Sequence, residues 1–185
     1  MNESIVPGSL GAIAQKGGSL AEAFMSADIV VIVDVSGSMS GHDSRGGRSR
    51  YEVACDELAK LQANNPGRIA VVCFSSHTQF CPGGIPEFLG GSTDLAAALQ
   101  FVKVADGCVQ FIVISDGQPD SEREALDVAR TFTSQIDCIF VGPESDWNAI
   151  GFLERLAQMS HGRYATAEKA AELAATVQQF MLKAG

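Results

Sequence analysis

The sequence predicts an α/β domain: a doubly wound, mostly parallel central sheet, Rossmann-like, with helices on both faces and one short antiparallel edge strand. Three observations predict it. Four runs, at residues 29–33, 69–74, 109–115 and 136–141, are apolar at nearly every position and rich in β-branched residues, as strands buried on both faces are. Between them lie segments whose apolar residues recur every three or four positions, the mark of an amphipathic helix. Gly, Ser, Asn and Pro punctuate the boundaries, so the order is strand, helix, strand, helix, which a parallel sheet with crossover helices requires.

Residues 1–27 are rich in Gly, Ser and Ala, with a short amphipathic candidate at Leu20, Ala23 and Phe24. They form an N-terminal arm or extension, for which a docked arm, an oligomer contact and a frayed tail all fit. The domain proper spans residues 28–185. Its first strand, Ile29-Val30-Val31-Ile32-Val33, ends at Asp34 and a Gly/Ser loop. Tyr51, Ala54, Leu58 and Leu61 then mark a helix that stops at Asn64-Asn65-Pro66-Gly67, because Pro and Gly cannot continue it. A second buried run follows at 69–74. The stretch 75–91, with its Cys81-Pro82-Gly83-Gly84 turn, is expected to be an edge hairpin or loop. Leu95, Leu99 and Val102 mark the next helix, 109–115 the next strand, and Ala125, Ala129 and Phe132 the helix after that. A strand at 136–141, a helix carrying Ile150, Leu153 and Leu156, a short strand near 163–165 and a last helix with Leu173, Val177 and Phe180 complete the order.

Composition narrows the function. The chain has 185 residues, 46% of them apolar, and a formal net charge of −9. That suffices for one folded core, and the negative field disfavours nucleic acid and anionic membrane surfaces as partners. The five cysteines are odd in number and without CxxC spacing, which points to buried thiols in a reducing compartment and away from a disulfide framework or zinc site. Cys81, in a Pro-Gly turn, is expected to be the exposed one. The opening MNESIVPGSLG has neither the basic flank nor the apolar stretch of a secretory signal, so a cytoplasmic location is expected.

In doubly wound folds ligands bind beyond the carboxyl ends of the strands, where strand order reverses. The first strand runs into Asp34-Val35-Ser36-Gly37-Ser38-Met39-Ser40-Gly41, and the strand 109–115 into Asp116-Gly117-Gln118-Pro119-Asp120. Between them, Gly90-Gly91-Ser92-Thr93-Asp94 puts hydroxyls at the start of a helix. A carboxylate and two alternating hydroxyls around a flexible glycine suit all-oxygen ligation of a hard divalent cation.

These segments resemble the von Willebrand factor type A (vWA) family and its metal-ion-dependent adhesion site (MIDAS), in which an Asp-x-Ser-x-Ser loop is completed by a distant Thr and a distant Asp. The resemblance covers about residues 28–182. Carried over, it implies the metal ligands Asp34, Ser36, Ser38, Thr93 and Asp116. Family members commonly show Gly-Gly-Thr or Gly-x-Thr at the third segment. The alignment Gly91-x-Thr93 therefore leaves Ser92 as a substitute ligand, and either hydroxyl also suits a helix cap. The resemblance implies Mg²⁺, with Mn²⁺ or Ca²⁺ sometimes accepted. Few carboxylates and many hydroxyls also fit Mg²⁺ better than Ca²⁺. Two carboxylates neutralise the cation, which keeps affinity for one more anionic oxygen. The implied function is a metal-dependent protein-binding module that holds an Asp or Glu of a partner, in the company of an ATPase or a larger assembly, and is not an enzyme.

Two rival readings remain. One is a metal-dependent phosphohydrolase with Asp34 as nucleophile, although the second Asp of that haloacid-dehalogenase-like pattern is here Ser36. The other is a structural domain whose metal only rigidifies the loops. No nucleophile elbow or phosphate-binding glycine loop is present. His42, His77 and His161 lack metal-ligand spacing, although His42 and Asp43, beside Ser40, suit the rim of the site. Arg45, Arg48 and Arg50 form a basic run beside the acidic site, fit either to steer an acidic partner or to lie in solvent. Trp147 is expected to pack in the core or at its rim. Asp120, Glu122 and Glu124 are placed at a helix start, where the dipole favours them, with Asp120 near enough in sequence to orient a water of the site.

Overall fold

The computed structural model describes residues 24, 26–42, 48–116, 119–142 and 145–166, without the side chains of Val53, Glu57, Leu61 and Asn64. Six strands form one sheet: β1 (Ile29–Asp34), β2 (Ile69–Phe74), β3 (Thr78–Phe80), β4 (Gln110–Ser115), β5 (Ile136–Phe140) and β6 (Tyr164–Thr166). Their order is β3-β2-β1-β4-β5-β6. All neighbours are parallel except β3, which returns antiparallel along the edge of β2. The sheet is the doubly wound α/β sheet predicted above. Strand order reverses between β1 and β4, whose carboxyl ends carry Asp34 and Asp116.

Among the described residues four α-helices accompany the sheet: α1 (Arg50–Asn64), α2 (Leu95–Val102), α3 (Glu122–Ala129) and α4 (Trp147–Met159). Side chains of a strand alternate between faces, and β1 divides accordingly. Val30 and Ile32 join Leu95 and Leu99 of α2, Ala125 of α3, and Phe152 and Leu156 of α4. Ile29, Val31 and Val33 join Ala54 and Leu58 of α1 and Met39 of the loop after β1. All of β1 is buried, and each fully buried Val or Ile side chain contributes about 1.5 to 3 kcal/mol. The strand that presents Asp34 is therefore firmly held, buried throughout and paired on both sides.

Each helix starts on a cap that the sequence supplies. Ser49 and Glu52 form a reciprocal capping box at α1: the Ser49 hydroxyl accepts from the Glu52 N–H at 3.1 Å, and the Glu52 carboxylate accepts from the Ser49 N–H at 2.9 Å. Asp94, Ser121 and Asp146 cap α2, α3 and α4. The cap of α2 is therefore Asp94, and neither Ser92 nor Thr93 takes that role.

Three further expectations are corrected. Trp147 is 77% exposed at the start of α4, because that helix buries the stripe Ala149, Phe152, Leu153 and Leu156. Cys81 is buried, and Cys108 is the exposed cysteine. The Cys81 N–H bonds the Val71 carbonyl at 2.8 Å, carrying the β2–β3 pairing past the expected turn, and the neighbouring Cys73 thiol together with burial pushes its own thiol up. Phe132 lies beyond the end of α3 and meets Phe111 edge-on. Of the arm, Phe24 is fully buried and packs edge-on against Phe80 and Phe101. Leu20 and Ala23, like Leu173, Val177 and Phe180 of the expected last helix, lie outside the described residues.

Candidate metal centre

Among the described residues no cluster of three or more His, Cys, Asp or Glu side chains is placed to hold a metal ion. A metal centre here must draw on hydroxyls as well as carboxylates. The loop after β1 supplies both. One Asp34 oxygen accepts from the Ser36 N–H at 2.9 Å, which turns the chain back over the strand end. The other accepts from the Ser115 hydroxyl of β4 at 2.6 Å, so the two central strands are tied at their carboxyl ends. Asp34 is fully buried. Burial pushes its carboxyl above the usual range, opposed by the hydrogen bonds from Ser115 and Ser36.

A short helical turn, Gly37–Ser40, follows and aims Ser36 and Ser38 at the same point, their hydroxyl oxygens 3.3 Å apart. The Ser38 hydroxyl donates to one oxygen of Asp116 at 2.8 Å, across 78 residues of sequence. The other Asp116 oxygen accepts from the Arg50 guanidinium at 2.5 Å. Asp34, Ser36, Ser38 and Asp116 thus form one connected polar group at the point where strand order reverses.

Among the described residues no hydrogen bond joins Thr93 to this group; the loop that precedes it makes the connection. The Gly90 N–H bonds the Val35 carbonyl at 3.0 Å, and the Gly37 N–H approaches the Gly91 carbonyl at 3.4 Å. Both Gly90 and Gly91 have positive φ, 65° and 82°, a conformation that side chains oppose. At Gly91 a Cβ would also stand 2.6 Å from the Ser76 hydroxyl. That hydroxyl accepts from the Ser92 N–H and lies 3.0 Å from the Ser92 hydroxyl. Ser92 is thereby held on Ser76, away from Asp34. Thr93 is clasped by Asp120, whose carboxylate accepts the Thr93 N–H at 3.0 Å and whose own N–H bonds the Thr93 carbonyl at 2.9 Å. Asp120 precedes the cap of α3 and positions Thr93, a different task from the water contact expected of it.

The basic run divides. Arg48 pairs with Asp56 in solvent, whereas Arg50, the first residue of α1, turns into the site. His42 is exposed on the loop, and Asp43 and Arg45 lie outside the described residues. Sequence reasoning missed Ser115 and placed Arg50 and Asp120 near the site in other roles. The signal available for Arg50 was its position directly after the cap Ser49, where the helix dipole disfavours positive charge.

The donor set fits a hard divalent cation. It is all oxygen, with two carboxylates. The 2.8 and 3.3 Å gaps between neighbouring oxygens bracket the edge of about 2.9 Å of an octahedron with 2.0 to 2.1 Å metal–oxygen bonds, the geometry Mg²⁺ demands.

No protein-family model matches the sequence, and no curated protein matches it either. Solved structures do match the fold. A von Willebrand factor type A protein from Catenulispora acidiphila superposes with a TM-score of 0.63 at 16% identity, covering 84% of this chain and 42% of that one. The VWA domain of SpRpn10 gives 0.59 at 12%, covering 80% and 93%. The manganese-loaded TRAP protein of Plasmodium vivax gives 0.53 at 19%, covering 85% and 74%. By these superpositions, and with a mostly parallel sheet that carries one antiparallel edge strand, the chain has the fold of a von Willebrand factor type A domain.

Proposed function

We propose that the protein is a divalent-metal-dependent protein-interaction module, whose site of Asp34, Ser36, Ser38, Thr93 and Asp116 takes Mg²⁺ or Mn²⁺ and receives an Asp or Glu of a partner. One observation carries the proposal: carboxylates from the ends of β1 and β4 meet two serine hydroxyls at a single point. A bound cation would supply an electrophilic position for one further anionic oxygen. The chain's own residues do the rest. Asp34 and Asp116 provide the charge, Ser36 and Ser38 provide neutral oxygens, and Ser115 and Asp120 hold Asp34 and Thr93 in place. A manganese-loaded structural neighbour supports metal use.

The module reading is preferred to a phosphohydrolase because of Ser36, which stands two residues after Asp34 where the haloacid-dehalogenase-like pattern needs its second Asp. An ATPase or larger assembly is the proposed setting, and the partner's acidic residue the contact.

The test is a thermal-shift and calorimetric titration of the EDTA-stripped protein with Mg²⁺, Mn²⁺ and Ca²⁺, beside Asp34→Ala and Thr93→Ala. Metal at about 100 times its Kd should stabilise the wild type by about 2.7 kcal/mol, roughly 5 to 10 °C in Tm, and should leave Asp34→Ala unmoved. No binding at millimolar metal would end the proposal, as would hydrolysis of an aryl phosphate abolished by Asp34→Asn.

A further inference from the structure

Arg50 is the feature of the site that the proposed function does not use. Its side chain is 12% exposed and that of Asp116 is fully buried, with 2.5 Å between guanidinium and carboxylate. Its backbone is fixed too, since the Arg50 N–H bonds the Gly41 carbonyl at 3.0 Å. Gly41, which ends the short helical turn after β1, has no side chain where a Cβ would stand 3.4 Å from the guanidinium carbon and 3.5 Å from Nε. The guanidinium therefore lies between the metal-type loop and Asp116. A cation at the first position of a helix is opposed by the helix dipole, and here the Asp116 carboxylate offsets that opposition.

Charge counting shows the consequence. Asp34 and Asp116 together carry two negative charges when ionised, and Arg50 supplies one positive charge on the same carboxylate that a metal would need. A divalent cation entering with Arg50 in place would face a guanidinium within a few ångströms and find one Asp116 oxygen already taken. We infer that Arg50 is a built-in competitor of the divalent cation, holding Asp116 in the metal-free site and yielding it on metal binding, so that metal affinity is set by the Arg50–Asp116 contact. The inference rests on the metal-binding reading above and adds a regulator to that same site.

The experiment compares Mn²⁺ binding to EDTA-stripped wild type, Arg50→Gln, Arg50→Lys and Asp34→Ala by calorimetry, with Tm measured in EDTA and in saturating Mn²⁺. Removing the guanidinium charge should tighten Mn²⁺ binding by at least about tenfold, because a like charge this close to the cation is screened little at a part-buried site. Arg50→Lys, which keeps the charge, should stay near wild type. Linkage requires that Arg50→Gln also lower the metal-free Tm more than the metal-loaded one. Wild-type protein gives an independent reading if Arg50→Gln does not fold: the Arg50 Nε–H resonance should shift on saturation with Mg²⁺. Equal affinity of wild type and Arg50→Gln, or weaker binding by the variant, overturns the inference and leaves the metal site standing. An unmoved Arg50 resonance at Mg²⁺ saturation does the same. Absence of Mn²⁺ binding in both proteins overturns the inference and the metal site together.

Discussion

At the amino-terminal end of the sheet, Asp137 of β5 is fully buried and accepts from the Arg163 backbone N–H at 2.6 Å, from the Arg163 guanidinium at 2.6 and 3.1 Å, and from the Gln110 amide. At the carboxyl end, Asp34 and Asp116 are just as buried, but the Arg50 guanidinium pairs with Asp116 while Asp34 accepts from the Ser36 N–H and the Ser115 hydroxyl. The first arrangement matches one carboxylate with one cation and satisfies both oxygens. Among the described residues the second has one more carboxylate than it has cations. Burying a charge is costly unless it is paired, and the excess at the carboxyl end is the charge that the proposed cation would offset. In these terms the charge count separates a structural pair from the proposed site.

The largest effect that would sharpen this contrast is expected at Asp137. Asp137→Ala would strand the Arg163 guanidinium and backbone N–H together with Gln110, and should cost about 3 kcal/mol. In a chain of this length that lowers Tm by roughly 6 to 12 °C, measurable by calorimetric unfolding, with Mn²⁺ affinity unchanged. A changed metal affinity would mean that the two ends are not independent, and the contrast would fail.

A smaller effect is expected at Asp106, a carboxylate satisfied by donors alone on a connecting loop. Burial pushes its carboxyl up, but Lys103 Nζ at 2.7 Å, the Ser134 N–H at 2.8 Å and the Thr133 N–H and hydroxyl outweigh it, so it lies below the ordinary value of 3.8. A carboxyl that is lowered in the folded state adds stability above its unfolded value, and that stability is lost as pH falls through the folded value. Asp106→Asn should therefore cost about 1 to 2 kcal/mol at pH 7. The gap to the wild type should begin to close below about pH 4 and close fully only below the folded value. A constant gap across that window would show that shape, not charge, is what Asp106 provides.

Much of this was legible in the sequence, and the physical reasons for the exceptions are specific. The apolar runs that became β1, β2, β4 and β5 are local signals, as are the Asp residues at the ends of β1 and β4, so the position of the site could be read directly. Arg50 could not, because its partner is 66 residues away and its neighbours Arg45 and Arg48 made it look like part of a solvated run. The Asp120 clasp on Thr93 spans 27 residues and is equally silent in a linear reading. Trp147 was misplaced because its helical spacing to Ile150 suggests a shared packed face, whereas α4 buries the stripe 149, 152, 153 and 156. Cys81 was misplaced because Pro-Gly chemistry signals a turn and is silent on whether the residue before it still pairs with β2.

The smallest expected effect tests whether contact or mere proximity matters. Arg48 stands two residues from Arg50 and carries the same charge, but its pair with Asp56 is about half exposed on both sides. Exposed pairs contribute about 0 to 1 kcal/mol, and water and salt screen their field. Arg48→Ala should therefore move Tm by no more than about 4 °C and alter Mn²⁺ affinity by less than about twofold, with even that difference fading in 0.5 M salt. If Arg48→Ala instead tightened Mn²⁺ binding as much as Arg50→Gln, the summed field of the basic run would govern the site. The 2.5 Å contact on Asp116 would then lose its special standing, because a residue that never touches the carboxylates would do the same work as one that does.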